Sequence, residues 1–243
     1  AWDQIVVALL DNGILLDHPD LENQIWNNPN EIPNNGIDDD NNGFVDDLNG
    51  WNFRSDTSIH ENGFHGTPVA GILGASTNNT VGIAGMAYNT KLMPLTPSLR
   101  TSEIYGAIEY AYEQRKRYNN SLGQEGSFVV AANLSFGFDF TFPESMPIFC
   151  ALLDSLGKVG VIPVVSTTNS PSDIESIGDV PALCGSDIQI NVTKTTRQDE
   201  KDEFQGGFSS NFVHLGAPGQ EIQSTTSGGS YDIFTGTSAS APF

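Results

Sequence analysis

Basic side chains are scarce in this sequence. Ten Lys and Arg residues face 30 Asp and Glu residues, which gives a formal net charge of -20 over 243 residues. Because such a chain repels phosphate groups, this balance argues against nucleic acids and anionic membrane surfaces as partners. Many of the acidic residues lie in one segment, 38–47, and a local concentration of this kind suits bound cations.

Long apolar runs and cysteines are also few. No apolar run approaches the roughly 20 residues of a membrane-spanning helix, so we expect no membrane span. The two cysteines, Cys150 and Cys184, are compatible with two buried thiols or with one disulfide, and their number does not decide between them. If the protein is exported, an oxidising compartment favours the bridge.

Apolar, β-branched segments alternate with helical patterns along the chain. Residues 102–117 carry apolar side chains at helical spacing, and residues 147–158 form a second helical pattern. This alternation predicts an α/β fold, and we expect one domain, 1–243, because no repeat or flexible linker divides the chain. Two irregular segments, 27–52 and 169–185, are long loops of the kind that usually carries function. The segments predicted as buried parallel strands are 5–10, 128–135, 161–166 and 188–192.

Three short motifs each contain one residue suited to nucleophilic catalysis. Asp11 directly follows the first predicted strand, at the carboxyl end where parallel sheets build their sites. His65 opens the motif His-Gly-Thr-Pro-Val-Ala-Gly, and Ser238 lies in Gly-Thr-Ser-Ala-Ser-Ala-Pro. Each residue alone also has a common structural role: an aspartate in a turn, a histidine in the core, and a serine in a turn of small residues. Together they supply the carboxylate, imidazole and hydroxyl that acyl transfer requires.

In their chain order, the three motifs resemble those of the subtilase family, which are Asp-x-Gly, His-Gly-Thr-x-Val-Ala-Gly and Gly-Thr-Ser-x-Ala-x-Pro. Four further segments carry the same resemblance, so that it covers nearly the whole chain: 17–21, 91–94, 133–137 and 215–219. The resemblance implies a three-layer, doubly wound and mostly parallel α/β sheet. It also implies that the family's N-terminal segment and the elements that follow the serine motif are lacking from this chain.

The activity implied by the resemblance is that of a secreted or cell-surface serine endopeptidase. Asp11, His65 and Ser238 would form its catalytic triad and act through an acyl-enzyme. Its partners would be polypeptide substrates and an inhibitory propeptide. Asn169, after the strand at 161–166, would be the oxyanion donor, a role that contributes about 3 kcal/mol in the transition state. The family usually has Ala-Gly before this asparagine, and a Thr168 forced into a glycine conformation would strain the site.

The same resemblance assigns two edges that bind substrate, one formed by Ser135, Phe136 and Gly137 and the other by residues 96–99. Main-chain pairing along these edges would select an extended polypeptide by its backbone rather than by one side chain. Nothing in the sequence fixes the side chain that the pocket beside Ser238 prefers. The implied substrate-binding residues are Thr96, Ser135, Phe136, Gly137, Ser166 and Thr167.

The acidic segment 38–47 has the pattern of a calcium-binding loop. Oxygen-bearing side chains alternate and a glycine stands at the sharp turn, as in the first nine positions of an EF-hand-type loop. Position twelve is Asn49 rather than Glu, so Asp47 is the candidate for the closing ligand. The alternative is a solvated acidic loop, although its carboxylates would repel one another without a cation. The predicted ligands are Asp38, Asp40, Asn42, the Phe44 carbonyl, Asp46 and Asp47.

A second structural Ca²⁺ site is implied only by the resemblance. In the family, this site lies near the helix that follows the histidine motif, and it also takes a ligand from an N-terminal segment that this chain lacks. The residues that match it here are Asp20, Thr77, Asn79, Val81 and Ile83.

Two readings without enzymatic activity remain open from the sequence. The first is a binding module of the subtilase fold whose oxyanion geometry is lost through Thr167 and Thr168. The second is a calcium-dependent structural domain of a larger surface protein. The presence of Asp11, His65 and Ser238 together favours the enzyme over both.

Overall fold

The computed structural model describes residues 4–243. The strands are β1 (Val6–Leu10), β2 (Lys91–Leu95), β3 (Val129–Leu134), β4 (Phe138–Asp139), β5 (Ile162–Ser166), β6 (Asp179–Val180), β7 (Ile190–Thr195), β8 (Leu215–Pro218), β9 (Ile222–Thr225) and β10 (Tyr231–Phe234). The helices are α1 (Gly66–Gly74), α2 (Thr101–Ser121), α3 (Pro147–Val159), α4 (Ile174–Ile177) and α5 (Thr237–Ser240). Within the described residues, no helix has both the length and the hydropathy needed to cross a bilayer.

A six-stranded sheet forms the centre of the molecule, with strand order β2-β1-β3-β5-β7-β8. Every neighbouring pair in this sheet runs parallel. Two short antiparallel pairs, β9 with β10 and β4 with β6, lie outside it. Because the carboxyl ends of parallel strands meet at one edge, the residues that follow β1, β3 and β5 are brought together there.

Helices cover both faces of the sheet. Val6, Ala8 and Leu10 of β1 pack into a core cluster with the apolar faces of α2 and α3. The alternate residues, Val7 and Leu9, pack into a second cluster with α1. Since successive side chains of a strand point to opposite faces, β1 is buried along its whole length. The predicted three-layer, doubly wound α/β architecture is therefore confirmed.

The predicted elements match the structure more closely inside the sheet than at its edges. The predicted helices at 102–117 and 147–158 correspond to α2 and α3. The strand predicted at 188–192 begins two residues later and continues to Thr195. The edge strands β2 and β8 are not among the strands predicted from the apolar segments. Each contains a proline, as does the central strand β5, in which Pro163 lies.

A disulfide joins Cys150 in α3 to Cys184, with a Cα–Cα distance of 5.0 Å. The bridge therefore confirms the second of the two alternatives for the cysteines. The two residues are 34 positions apart, and closing a loop of this length stabilises the fold by about 3 to 4 kcal/mol in the chain-entropy description. The bridge fixes the segment after β5 to the helical layer below it.

Candidate active site

Asp11, which is buried, and His65, which is partly exposed, form a hydrogen-bonded pair at the carboxyl end of β1. The imidazole Nδ1 lies 2.9 Å from each carboxylate oxygen of Asp11. Asn12 holds the start of α1 in place, because its Oδ1 accepts hydrogen bonds from the backbone N–H groups of His65 and Gly66. A Cβ on Gly66 would lie 2.2 Å from the Gly13 carbonyl oxygen and 2.9 Å from the Asp11 Cβ. Only a glycine after the histidine allows this approach.

The environment of His65 favours the protonated imidazole. Burial alone lowers its pKa, but the hydrogen bond and the negative charge of Asp11 outweigh burial, and the net pKa of His65 is raised. The Asp11 side chain is 4% exposed, so solvent screens this interaction weakly. When Nδ1 donates to Asp11, the neutral ring presents Nε2 as a proton acceptor.

Ser238 lies in the first turn of α5 and is almost completely buried. Its hydroxyl donates to the Ser135 carbonyl at 2.9 Å, and the Ser135 hydroxyl donates in return to the Ser238 carbonyl at 3.0 Å. A catalytic triad would join His65 to Ser238, but no hydrogen bond between these two residues is formed within residues 4–243. A serine hydroxyl changes partner by rotation about one side-chain bond, and the Ser135 carbonyl offers the acceptor used here.

Two adjoining clefts surround these residues and share Leu99 and Phe136. The first cleft is lined by Asp11 and His65. The second, of about 510 Å³, is lined by Ser238 and Asn169. The pair and the hydroxyl therefore face one continuous depression on the surface.

Asn169 follows β5 and is oriented by Thr237. Its Oδ1 accepts hydrogen bonds from the Thr237 backbone N–H at 2.9 Å and from the Thr237 hydroxyl at 3.2 Å. The exposed amide NH₂ group is left without a partner among the described residues. The backbone N–H of Ser238, in the same cleft, also meets no acceptor there. Two donors are therefore available beside the Ser238 hydroxyl.

The strain expected at Thr168 is absent. The described residues with a left-handed backbone do not include Thr168. Its N–H donates to Asp179 at 2.7 Å, and its hydroxyl accepts from the Ser170 N–H. The threonine thus replaces the family's glycine without a conformational penalty, which removes the observation that favoured a binding module over an enzyme.

Five of the six predicted substrate-binding residues line the two clefts: Ser135, Phe136, Gly137, Ser166 and Thr167. The role predicted for Thr96 is corrected by its hydrogen bonds. Its backbone N–H bonds to the Trp51 carbonyl, and its own carbonyl accepts from the Arg54 N–H, so neither group is free to pair with a peptide. The other residues of the predicted edge, 97–99, line the first cleft. The sequence does not reveal the pairing of Thr96, because residues 51–54 meet it only through tertiary contacts.

A cluster of three acidic residues lies in the long loop between β1 and α1. Ligand atoms of Glu31, Asp40 and Asp47 all lie within 4.8 Å of one another. Asp47 is fully buried, and burial raises its pKa to about 6, against the lowering effect of hydrogen bonds from Tyr110, Asn42 and Asn28. The Glu31 Oε2 atom is buried without a hydrogen-bond partner. An orphaned carboxylate oxygen within an acidic cluster fits a hard cation such as Ca²⁺.

Two of the other predicted ligands of this loop, Asp38 and Asp46, bind backbone N–H groups of the loop, whereas Asn42 contacts the cluster through its NH₂ group. Asp38 accepts the backbone N–H groups of Asn42 and Gly43, and Asp46 accepts those of Asn35 and Gly36. These carboxylates close turns of the loop. The side chain of Asn42 directs its NH₂ group toward Asp40 and Asp47, and its Oδ1 accepts the N–H of Phe44.

Glu31 was missed because it precedes the acidic segment by seven residues. It joins the cluster through hydrogen bonds from the Asp39 and Asp40 backbone N–H groups to its Oε1, at 2.9 and 3.1 Å. The one available signal in the sequence was a lone glutamate in the irregular segment 27–52.

Hydrogen bonds among the residues of the second predicted calcium site bring them together. Asp20 is buried; its Oδ1 accepts from the Asn79 side chain at 2.6 Å, and its Oδ2 accepts from the Ile83 N–H at 2.8 Å. The Asn79 Oδ1 accepts from the Val81 N–H, within the loop that also contains Thr77. In residues 4–243, three acidic, histidine or cysteine ligands converge only at Glu31, Asp40 and Asp47. This second site stays a prediction.

Comparison with known proteins shows a consistent set of relatives. The subtilisin-like protease 1 of Plasmodium berghei is 30% identical in an alignment 260 positions long, which covers 97% of this chain and 40% of that protein. An extracellular protease of Xanthomonas campestris is 28% identical over 100% of this chain and 43% of its own length. The major intracellular serine protease of Bacillus subtilis is 29% identical over 98% of this chain and 65% of its own length. The chain thus spans less than half of the first two relatives.

Solved structures agree with the fold. The structure of a cold-adapted subtilisin-like serine proteinase superimposes with a TM-score of 0.68 at 21% identity. The superposition covers 99% of this chain and 72% of the chain of that proteinase. The sequence model of the Subtilase family matches residues 3–243. From this match over almost its entire length, we conclude that the chain belongs to the subtilase family of subtilisin-like serine proteases.

Proposed function

We propose that this chain cleaves peptide bonds of extended polypeptides through an acyl-enzyme, with Ser238 as nucleophile, His65 as general base and Asp11 as its orienting carboxylate. The observation that carries the proposal is the hydrogen-bonded Asp11–His65 pair, which lines the same depression as the Ser238 hydroxyl. These are the three groups that nucleophilic acyl transfer needs.

The chemistry follows from these positions. The Ser238 hydroxyl turns from the Ser135 carbonyl toward His65, loses its proton to Nε2 and forms a bond to the substrate carbonyl carbon. The carbonyl electron pair moves to oxygen, where the Asn169 amide and the Ser238 N–H donate hydrogen bonds to the alkoxide. Asp11 stabilises the imidazolium, which gives its proton to the amine nitrogen as the alkoxide re-forms the carbonyl and the peptide C–N bond breaks. Water then attacks the acyl-enzyme, the ester formed with Ser238, by the same steps. This releases the acyl part of the substrate as a carboxylic acid and restores the Ser238 hydroxyl.

We also propose that the protein is secreted or displayed at the cell surface. The Cys150–Cys184 disulfide supports this location, because such bonds persist in oxidising compartments. The relatives do not decide the matter, since one is named as extracellular and another as intracellular. An inhibitory propeptide stays a prediction.

Labelling with a fluorophosphonate probe tests the proposed activity, because this reagent requires a serine activated by a neutral base. We expect one probe per chain, located at Ser238 by peptide mapping. Because Asp11 raises the pKa of His65, labelling should fall as the pH drops through that raised pKa. Ser240→Ala, in the same helix, is the matched control and should label normally. A folded chain that stays unlabelled would support the binding-module or structural readings.

We propose that Glu31, Asp40 and Asp47 hold a structural Ca²⁺. The support is the convergence of three carboxylates and the unpartnered Glu31 oxygen. A bound divalent cation would neutralise their mutual repulsion and stabilise only the folded chain. The catalytic groups are not part of this cluster, so the ion would act on the stability of the loop between Asp11 and His65.

Calcium should therefore raise the melting temperature. At a concentration 100 times its Kd, a ligand adds about 2.7 kcal/mol, which corresponds to roughly 5–10 °C for a chain of this size. Glu31→Gln should abolish most of this shift in thermal melts with calcium or a chelator. Asp38→Asn is the matched control and should keep the shift, because Asp38 closes a turn instead. An equal shift in both variants would place the ion elsewhere, and no shift in the native chain would remove the site.

A further inference from the structure

A buried acidic residue that the proposed mechanism does not use lies behind the second cleft. Asp179, in β6, pairs across the short antiparallel ladder with Asp139 of β4. Its side chain is fully buried. One carboxylate oxygen, Oδ2, accepts the Thr168 N–H at 2.7 Å. The other, Oδ1, has no hydrogen-bond partner, although buried carboxylate oxygens are normally paired.

The unpaired oxygen lies directly behind two residues that line the cleft containing Ser238. Gly137 and Thr168, which flank the Asp179 carboxylate, both line this cleft. A Cβ placed on Gly137 would lie 3.2 Å from Asp179 Oδ1. Since Gly137 has no side chain, its backbone lies close to this oxygen and no side chain at that position covers it.

The charge around this cleft has one sign. Asp139 also lines it, whereas none of the described lining residues is Lys, Arg or His. Burial, aided by the Asp139 charge and opposed by the Thr168 hydrogen bond, raises the pKa of Asp179 to about 7. A cation beside Oδ1 would favour the ionised carboxylate and supply the partner that this oxygen lacks.

We propose that Asp179 determines substrate specificity, by selecting a Lys or Arg side chain on the acyl side of the bond to be cleaved. This proposal rests on Ser238 being the nucleophile. The substrate residue whose carbonyl Ser238 attacks would then place its side chain in the second cleft, which Ser238 lines. The cleft volume of about 510 Å³ accommodates either side chain. Phe136 and Phe138 line the cleft and would contact the methylene stem, while the charged end reaches Asp179.

Two peptide substrates that differ only in arginine or citrulline at the acyl-side position provide the test. Citrulline has nearly the shape of arginine but no charge. The native chain should show a kcat/KM about tenfold to a hundredfold higher for the arginine peptide, the range expected for one hydrogen bond to a charged group. In Asp179→Asn this ratio should fall to about one, because the variant keeps an oxygen for the Thr168 N–H but loses the charge.

Asp139→Asn is the matched control, because it removes an exposed charge from the same cleft and should retain most of the preference. Fluorophosphonate labelling of Ser238 in each variant shows that the catalytic groups are intact. A labelled native chain that cleaves both peptides equally, or prefers apolar side chains, overturns the role of Asp179 and leaves the proposed function standing. The comparison of the two peptides uses only the native chain, so it tests the role of Asp179 even if the Asp179→Asn variant does not fold. A chain that neither labels nor cleaves any peptide overturns both proposals.

Discussion

Replacing Ser238 with alanine should lower kcat for peptide hydrolysis about a millionfold, the loss that follows removal of the nucleophile in serine proteases of this family. The physical reason is that Ser238 Oγ forms the covalent bond, and the neighbouring Ser135 hydroxyl is already committed to the Ser238 carbonyl. KM should change little, because the clefts that hold the peptide keep their lining. Steady-state rates on one peptide, with purified variant at high concentration, measure the effect.

The double variant Ser238→Ala, His65→Ala provides the sharper control. If the two residues act as one unit, removing His65 from the alanine variant should cost almost nothing more. The residual rate would then come from the Asn169 amide, the Ser238 N–H and substrate binding. A second large loss in the double variant would show that His65 contributes by a route independent of Ser238, and the proposed mechanism would be wrong.

The sheet and the paired side chains at its edge were predictable because their signals are local. The run Val6–Leu10 is apolar along its length, as a strand buried on both faces must be, and Asp11 ends it. The glycine after His65 is likewise explained by a single close approach. Such features need only the periodicity of neighbouring residues and the rule that parallel strands end at one edge.

What sequence reasoning missed depends on contacts between distant segments. Glu31 reaches the acidic cluster through backbone N–H groups eight and nine residues later, while Asp38 and Asp46 are drawn into turns. Asp179 lies in no recognisable motif, and only the pairing of β4 with β6 places it behind the Ser238 cleft. The spacing of acidic residues alone does not distinguish a carboxylate that closes a turn from one left without a partner.

Asp11→Asn should lower kcat about 10,000-fold while leaving the fold intact. An asparagine keeps the size of the carboxylate, but its NH₂ group donates a hydrogen bond, which stabilises the wrong tautomer of His65. The effect on pH dependence has a definite sign. The hydrogen bond and charge of Asp11 raise the pKa of His65 against the lowering effect of burial. Without them burial dominates, so the acidic limb of the kcat/KM profile should move to lower pH even as the rate falls.

Stability should respond to the same substitution in a pH-dependent way. A histidine whose folded pKa is raised stabilises the protein fully below its unfolded pKa of about 6.5, and this contribution is lost as the pH rises through the folded value. Asp11→Asn should therefore destabilise the chain more at pH 5 than at pH 9, as measured by denaturant titration. Asp17→Asn, at an exposed site, is the matched control and should change neither the rate nor this difference. If the acidic limb stays in place in Asp11→Asn, the raised pKa does not come from Asp11. The carboxylate would then only position His65.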